Sequence, residues 1–146
     1  MARTQARLGY GTLVQRGDNV DGASVTYTTV AEVRDIQLPQ RTLELQDATH
    51  QESPDGYMEF IPGLKDGGEV SFEVNWLPDN SGQSGLVDDF ENRVRRDWKI
   101  IESNTAASYW TFTAYVSQIS PQAPVNGVAR SNFTLRISGK PTLTTA

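Results

Sequence analysis

The sequence predicts a mainly β protein, an antiparallel sandwich or barrel with one α-helix packed on it. Two observations carry that class. Residues 69–76 alternate cleanly, with Glu69, Ser71, Glu73 and Asn75 opposite Val70, Phe72, Val74 and Trp76. That is the period of a strand with one wet and one packed face. The only segment with helical recurrence is 81–97, where Leu86, Phe90 and Val94 return every fourth residue and Trp98 follows just beyond.

The elements follow in order. YGTLVQRG (10–17) alternates weakly and runs into the turn cluster Asp18-Asn19-Val20-Asp21-Gly22. SVTYTTVAEV (24–33) is rich in the β-branched and aromatic residues that suit a pleated surface. RTLELQD (41–47) puts Leu43 and Leu45 on one face and Thr42, Glu44 and Gln46 on the other. A long connection, 48–66, follows. Its second half, EFIPGLKD, is apolar yet broken by Pro62, which has no N–H to give a ladder. Those apolar residues need the core or another chain. Asp66-Gly67 is a hairpin signal, because a type I′ turn requires positive φ at both central residues.

Beyond strand 69–76, Pro78 stops the ladder and the helix begins, with Ser81 or Ser84 as its cap. Asp88 and Asp89 early and Arg93, Arg95 and Arg96 late suit the helix dipole. WKIIES (98–103), ASYWTFTAYVSQI (107–119) and NFTLRISG (132–139) read as strands, and the tail 140–146 carries no packing signal. Trp76, Trp98, Trp110, Phe72, Phe90 and Phe112 fall on the apolar sides of their elements and are expected in the core. Tyr109 and Tyr115 fall on polar sides.

Composition narrows the function. At 146 residues the chain suits one domain, residues 1–146, with enough length to bury a core unaided. It has no Cys, which excludes disulfides and thiolate metal sites. No run approaches the ~18 apolar residues of a spanning helix, and MARTQARLGYGTL lacks the apolar region of a secretory signal. Thirteen basic against eighteen acidic residues leave a net charge of −5, the wrong sign for gripping a nucleic acid.

The search for chemistry comes up empty. His50 is the single histidine and sits in a polar loop, so a two-His metal site and a Ser–His pair with a spare His are both excluded. Gly82-Gln83-Ser84-Gly85 lacks the spacing of a nucleophile elbow. Asp88, Asp89 and Glu91 diverge around a helix and read as a solvated face. Asp18, Asn19 and Asp21 lack the terminal Glu of a calcium loop. No catalytic residue, metal site or cofactor is expected, and the chain does not read as an enzyme.

The run YMEFIPGLKDGGEVSFEVNWLPD (57–79) resembles the major tail tube proteins of long, non-contractile-tailed bacteriophages. VAEVRDIQLP (30–39), the Trp98-x-Ile100 pair after the helix and the terminal Ser138-Gly-x-Pro-Thr142 pattern support it. The resemblance implies the tail tube fold: rings of six subunits, closed as one inner β-barrel and stacked into a hollow tube that ejects phage DNA. It also implies tape-measure and terminator or tip partners, a place in the virion tail, and assembly in the host cytoplasm without contact with a membrane. Some relatives carry a further immunoglobulin-like domain; this chain ends at Ala146, and none is expected.

With about four strands per subunit, about twenty-four strands spaced ~4.8 Å and tilted near 40° give a circumference of roughly 150 Å. The bore is then roughly 35–40 Å between side chains, room for a duplex about 20 Å across. On this reading Tyr57, Glu59, Phe60, Ile61, Pro62, Gly63, Leu64, Lys65 and Asp66 are the self-association residues. Glu69, Ser71, Glu73, Asn75, Thr111, Thr113 and Ser117 are the lumen candidates, a polar wall past which double-stranded DNA moves without specific binding. A monomeric β-sandwich module for carbohydrate, or a secretion-system tube, are the competing readings.

Overall fold

The computed structural model describes residues 10–18, 26–102 and 108–145. Its strands are β1 (Leu13–Gly17), β2 (Tyr27–Thr29), β3 (Val33–Gln37), β4 (Thr42–Asp47), β5 (Phe60–Asp66), β6 (Glu69–Asn75), β7 (Arg96–Ile101), β8 (Tyr109–Gln122), β9 (Arg130–Ile137) and β10 (Thr142–Thr144). One helix, α1 (Ser81–Asn92), lies between β6 and β7. The main sheet runs β2-β1-β7-β8-β9-β6-β3 with every pairing antiparallel, and β4 and β5 form a separate two-stranded hairpin.

The long strand β8 joins two halves of the sheet. Ala114 lies opposite Arg96 of β7 on one edge and Ile137 of β9 on the other. Residues before it pair with β7 and β10; residues after it pair, among the described residues, with β9 alone. Inward side chains of both halves meet in a single core. Val14, Trp98, Ile100, Trp110 and Phe112 come from one, and Val70, Phe72, Val74, Phe133 and Leu135 from the other. Phe72 and Phe133 face each other across β6 and β9 with ring centroids 5.6 Å apart. Burial of each such side chain stabilises the fold by about 1.5–3 kcal/mol.

Helix α1 is fixed by polar groups as much as by Leu86. Asn80, rather than Ser81 or Ser84, is the cap: its side chain accepts from the N–H groups of Gly82 and Gln83. Buried Gln83 donates to the carbonyls of Ala31 and Asn75 and accepts from the Leu77 N–H, so the amide is fully used. The carboxylate of Asp89 takes two bonds from Arg16, at 2.7 and 2.8 Å, and one from Arg96. Asp89 is thus buried and paired across three elements, not part of a solvated face.

Several expectations need correcting. The helix stops at Asn92, five residues early, because Arg93 turns left-handed (φ 55°) and its N–H caps onto Asp89 and Phe90. Trp98 is therefore a strand residue, and Phe90 stays 41% exposed. The helix has no acidic residue in its first turn and no basic one in its last, so the dipole reading fails; Arg95 and Arg96 come after its end. The 24–33 run is split by a bend at Ala31–Glu32, where Glu32 has φ 53°, into β2 and β3. The tail is not free: Thr142–Thr144 pairs with β8 opposite Tyr109–Thr111.

The stretch 48–66 is not a plain loop either. Residues 60–66 form β5, and Pro62 is tolerated beside a register shift opposite Leu45, a break that removes the demand for a regular ladder. Nor is Asp66-Gly67 a hairpin turn, since β5 and β6 do not pair and only Gly68 has positive φ (80°). The chain instead passes here from hairpin to main sheet. A Cβ on Gly68 would lie 2.0 Å from the Gln40 carbonyl oxygen, so only glycine fits. The cluster Asn19–Gly22 lies outside the described residues.

Candidate self-association surfaces

The hairpin is the first unfinished surface. Every residue of β4 and β5 is exposed, although the pair contains Leu43, Leu45, Phe60, Ile61 and Leu64. Leu64 is 82% exposed and Tyr57 75%, and Met58 beside them is exposed as well. The register places Leu43 against Lys65, Leu45 against Pro62 and Asp47 against Phe60. By strand alternation those residues share one face; Ile61 and Leu64 lie on the other, with Gln46 and Glu44. Neither face is polar throughout. A two-stranded hairpin is marginal alone in water, and one with apolar groups on both sides needs cover on both.

The connection 48–59 is held by its own hydrogen bonds. Thr49 Oγ1 accepts from the Glu59 N–H, Ser53 Oγ donates to Glu59 Oε2, and the Ala48 N–H reaches the Glu59 carbonyl. His50 Nε2 lies 3.3 Å from Glu59 Oε2, on a largely exposed side chain. Glu59 is thus a structural link within the hairpin loop. A groove of about 1000 Å³ separates the hairpin from the sheet, lined in part by Arg41, Leu43, Leu64, Ile137, Lys140 and Pro141.

The second unfinished surface is a pair of strand edges. After Ala114, β8 has no strand partner, among the described residues, on the edge that β7 covered. At the far end β3 pairs, among the described residues, only with β6. Between these edges stand four strands in alternating direction, β3, β6, β9 and the second half of β8.

The outer face of that four-strand section is polar. Register aligns Glu69 with Arg136 and Tyr115, Ser71 with Thr134 and Gln118, Glu73 with Asn132 and Ser120, and Asn75 with Arg130 and Gln122. The structure therefore brings Glu69, Ser71, Glu73 and Asn75 onto one surface. Ser117 sits at the β8 register shift on its border, donating to the Thr134 carbonyl. Thr111 and Thr113 belong to the other half of the sheet, opposite Lys99 and Asp97 of β7, and are not neighbours of the rest. Sequence reading missed Arg130, Asn132, Thr134 and Arg136, which the alternation of 130–137 already displayed.

The arginines of this face are paired. Arg34 Nη1 and Arg130 Nη1 lie 3.3 and 3.6 Å from the same oxygen of Glu73. Arg136 bonds Asp66 at 2.7 Å. That guanidinium and the Gly68 N–H hold the Asp66 carboxyl below the usual aspartate range.

Comparison with known proteins completes the picture. The profile of the lambda phage tail tube protein family matches residues 16–144. The chain belongs to that family. Among curated protein sequences none matches significantly. Among solved structures, this tail tube family chain superposes on a subunit from the tail of an empty gene transfer agent particle refined with C6 symmetry. The TM-score is 0.78 at 18% identity, over 96% of this chain and 100% of that one. It also matches the sheath–tube complex of an extracellular contractile injection system (0.71, 13% identity, 97% and 93% covered). A third match is the SPP1 tail tube (0.69, 11% identity, 95% and 79% covered). At these identities the likeness is one of fold.

Proposed function

We propose that the chain is the structural subunit of a phage tail tube, a virion component in which copies of itself supply the partners its exposed surfaces lack. The observation that carries this is the four-strand section, each end of which has, among the described residues, a free edge. An even number of alternating strands lets β3 of one copy meet the second half of β8 in the next with antiparallel sense retained. Six such sections, the symmetry of the gene transfer agent tail, close a barrel of about twenty-four strands and leave no lateral edge.

The polar face then lines the bore, through which double-stranded DNA passes without specific contacts. Glu69, Ser71, Glu73 and Asn75 are its lumen residues, with Ser117 at its border. Thr111 and Thr113, on the other half of the sheet, are left out of it. The hairpin residues from Tyr57 to Asp66 pack between copies, where a neighbour covers each apolar face. Tape-measure and terminator proteins complete the tail, and subunits assemble in the host cytoplasm.

Electron microscopy of the purified protein at high concentration tests the reading: hollow rods are expected, and a solitary subunit at every concentration overturns it. Ile61→Asp with Leu64→Asp tests the hairpin. Both side chains are exposed in the subunit, so the variant keeps its circular dichroism spectrum while rods disappear. Rods of normal length from this variant would remove the hairpin from the interface.

A further inference from the structure

The polar face has the composition of an anion-binding surface that has been disarmed. Arg34 of β3 and Arg130 and Arg136 of β9 stand on it, cations of the kind that a phosphodiester backbone attracts. Each is answered by a carboxylate: Glu73 for Arg34 and Arg130, and Asp66 for Arg136, with Glu69 opposite Arg136 in register. Glu32 adds a carboxylate at the rim, where it accepts from Asn75. The carboxylates are not spread evenly. Arg136 has two acidic neighbours, Asp66, which it bonds directly, and Glu69. Arg34 and Arg130 share Glu73.

We propose that Glu73 is a mask: by holding the Arg34 and Arg130 guanidinium groups against its own carboxylate, it prevents this face from gripping a polyanion such as duplex DNA. Its role is the neutralisation of two specific cations rather than general repulsion. Glu69, of equal charge on the same strand, has no such role. The proposal uses the tube reading only to say where the face points.

The test compares Glu73→Gln with Glu69→Gln in the full chain, by fluorescence anisotropy with a labelled 20-base-pair duplex between about 50 and 200 mM salt. Both variants change net charge by the same amount, so bulk charge cannot separate them. Releasing two arginines adds up to about two phosphate contacts, which steepens the salt slope of log K by about 1.8. Across a fourfold salt range that is about a tenfold difference in affinity. From about 200 down to about 50 mM salt, Glu73→Gln is expected to gain about tenfold more affinity than Glu69→Gln; an equal gain by the two overturns the mask.

A second comparison does not depend on Glu73→Gln folding well. Arg34→Gln with Arg130→Gln, made beside an intact Glu73, leaves DNA binding within twofold of the parent if the arginines are masked. A larger loss overturns the proposal. Micrographs of the same samples score tube formation separately, so failure of the mask and failure of the tube are told apart.

Discussion

Replacing Asp89 by Asn asks how much of the subunit depends on one buried carboxylate. Asp89 is 2% exposed, and its two oxygens join Arg16 of β1 and Arg96 of β7 to helix α1. The Arg16 and Arg96 side chains are only 17% and 19% exposed. Bonding to Asp89 is also the first cause of the raised pKa of Arg16. Removing one member of a buried ion pair costs about 3–5 kcal/mol, because the charge left behind stays desolvated. Here two cations lose their partner, but each keeps some access to water, so about 3 kcal/mol is the expected loss.

With a urea slope near 2 kcal/mol per molar, that loss moves the unfolding midpoint down by about 1.5 M. Trp98 pairs with Arg16 in register and is fully buried, so its fluorescence reports the transition. Dispersed protein at fixed concentration is needed, since assembly would add stability by mass action. Asp88→Asn is the control: the same charge change at an exposed position one residue away, expected to shift stability by less than about 0.5 kcal/mol. Equal midpoints for the two variants would show that the Arg16–Asp89–Arg96 cluster contributes nothing beyond surface charge.

Three further outcomes follow from the hairpin and its passage into the sheet. Gly68→Ala must drive a methyl group into the Gln40 carbonyl at a left-handed φ, so thermal unfolding should fall by about 6–10 °C. Gly56→Ala, with φ +73° but open space around it, should lose only about 1 kcal/mol. Asp66 has a folded pKa below its ordinary 3.8, so its contribution is fully present above that value and disappears as pH falls through the lower, folded one. Asp66→Asn should flatten the acid limb of the stability–pH curve in that window, and an unchanged limb would contradict the Arg136 contact.

What could be read from the sequence were segments whose physics is local. The alternation of 69–76 named both the packed and the polar face of β6, and Trp98, Trp110, Phe72 and Phe112 are in the core as expected. The family resemblance, resting on residues 57–79, agrees with the profile match over 16–144. Boundaries failed where tertiary contacts overrode pattern. Arg93 ends a helix whose apolar stripe continues past it, since Trp98 is claimed by β7. Asp66-Gly67 carries the right residues for a hairpin, yet its flanking strands belong to different sheets. Asp89 looked like one of several surface acids because its partners are 73 residues before it and seven after. The polar face was visible strand by strand, but its assembly from β3, β6, β9 and β8 depends on a strand order that no short window encodes.

The two unfinished surfaces make different physical demands, and that difference predicts an order of assembly. The free edges of β3 and β8 offer backbone N–H and C=O groups, which any neighbouring copy satisfies with little regard to side chains. The hairpin offers apolar side chains on two faces and depends on their identity. In the ring proposed above both edges of the four-strand section are consumed, which leaves the hairpin for the contacts between rings. Carboxylates at Ile61 and Leu64 should then arrest assembly at a closed ring rather than at a monomer. Sedimentation of the double variant distinguishes the cases, because a ring of six is much heavier than the 16.1 kDa chain. A monomeric product would move the hairpin into the lateral joint, and the strand edges alone would no longer be sufficient to close the barrel.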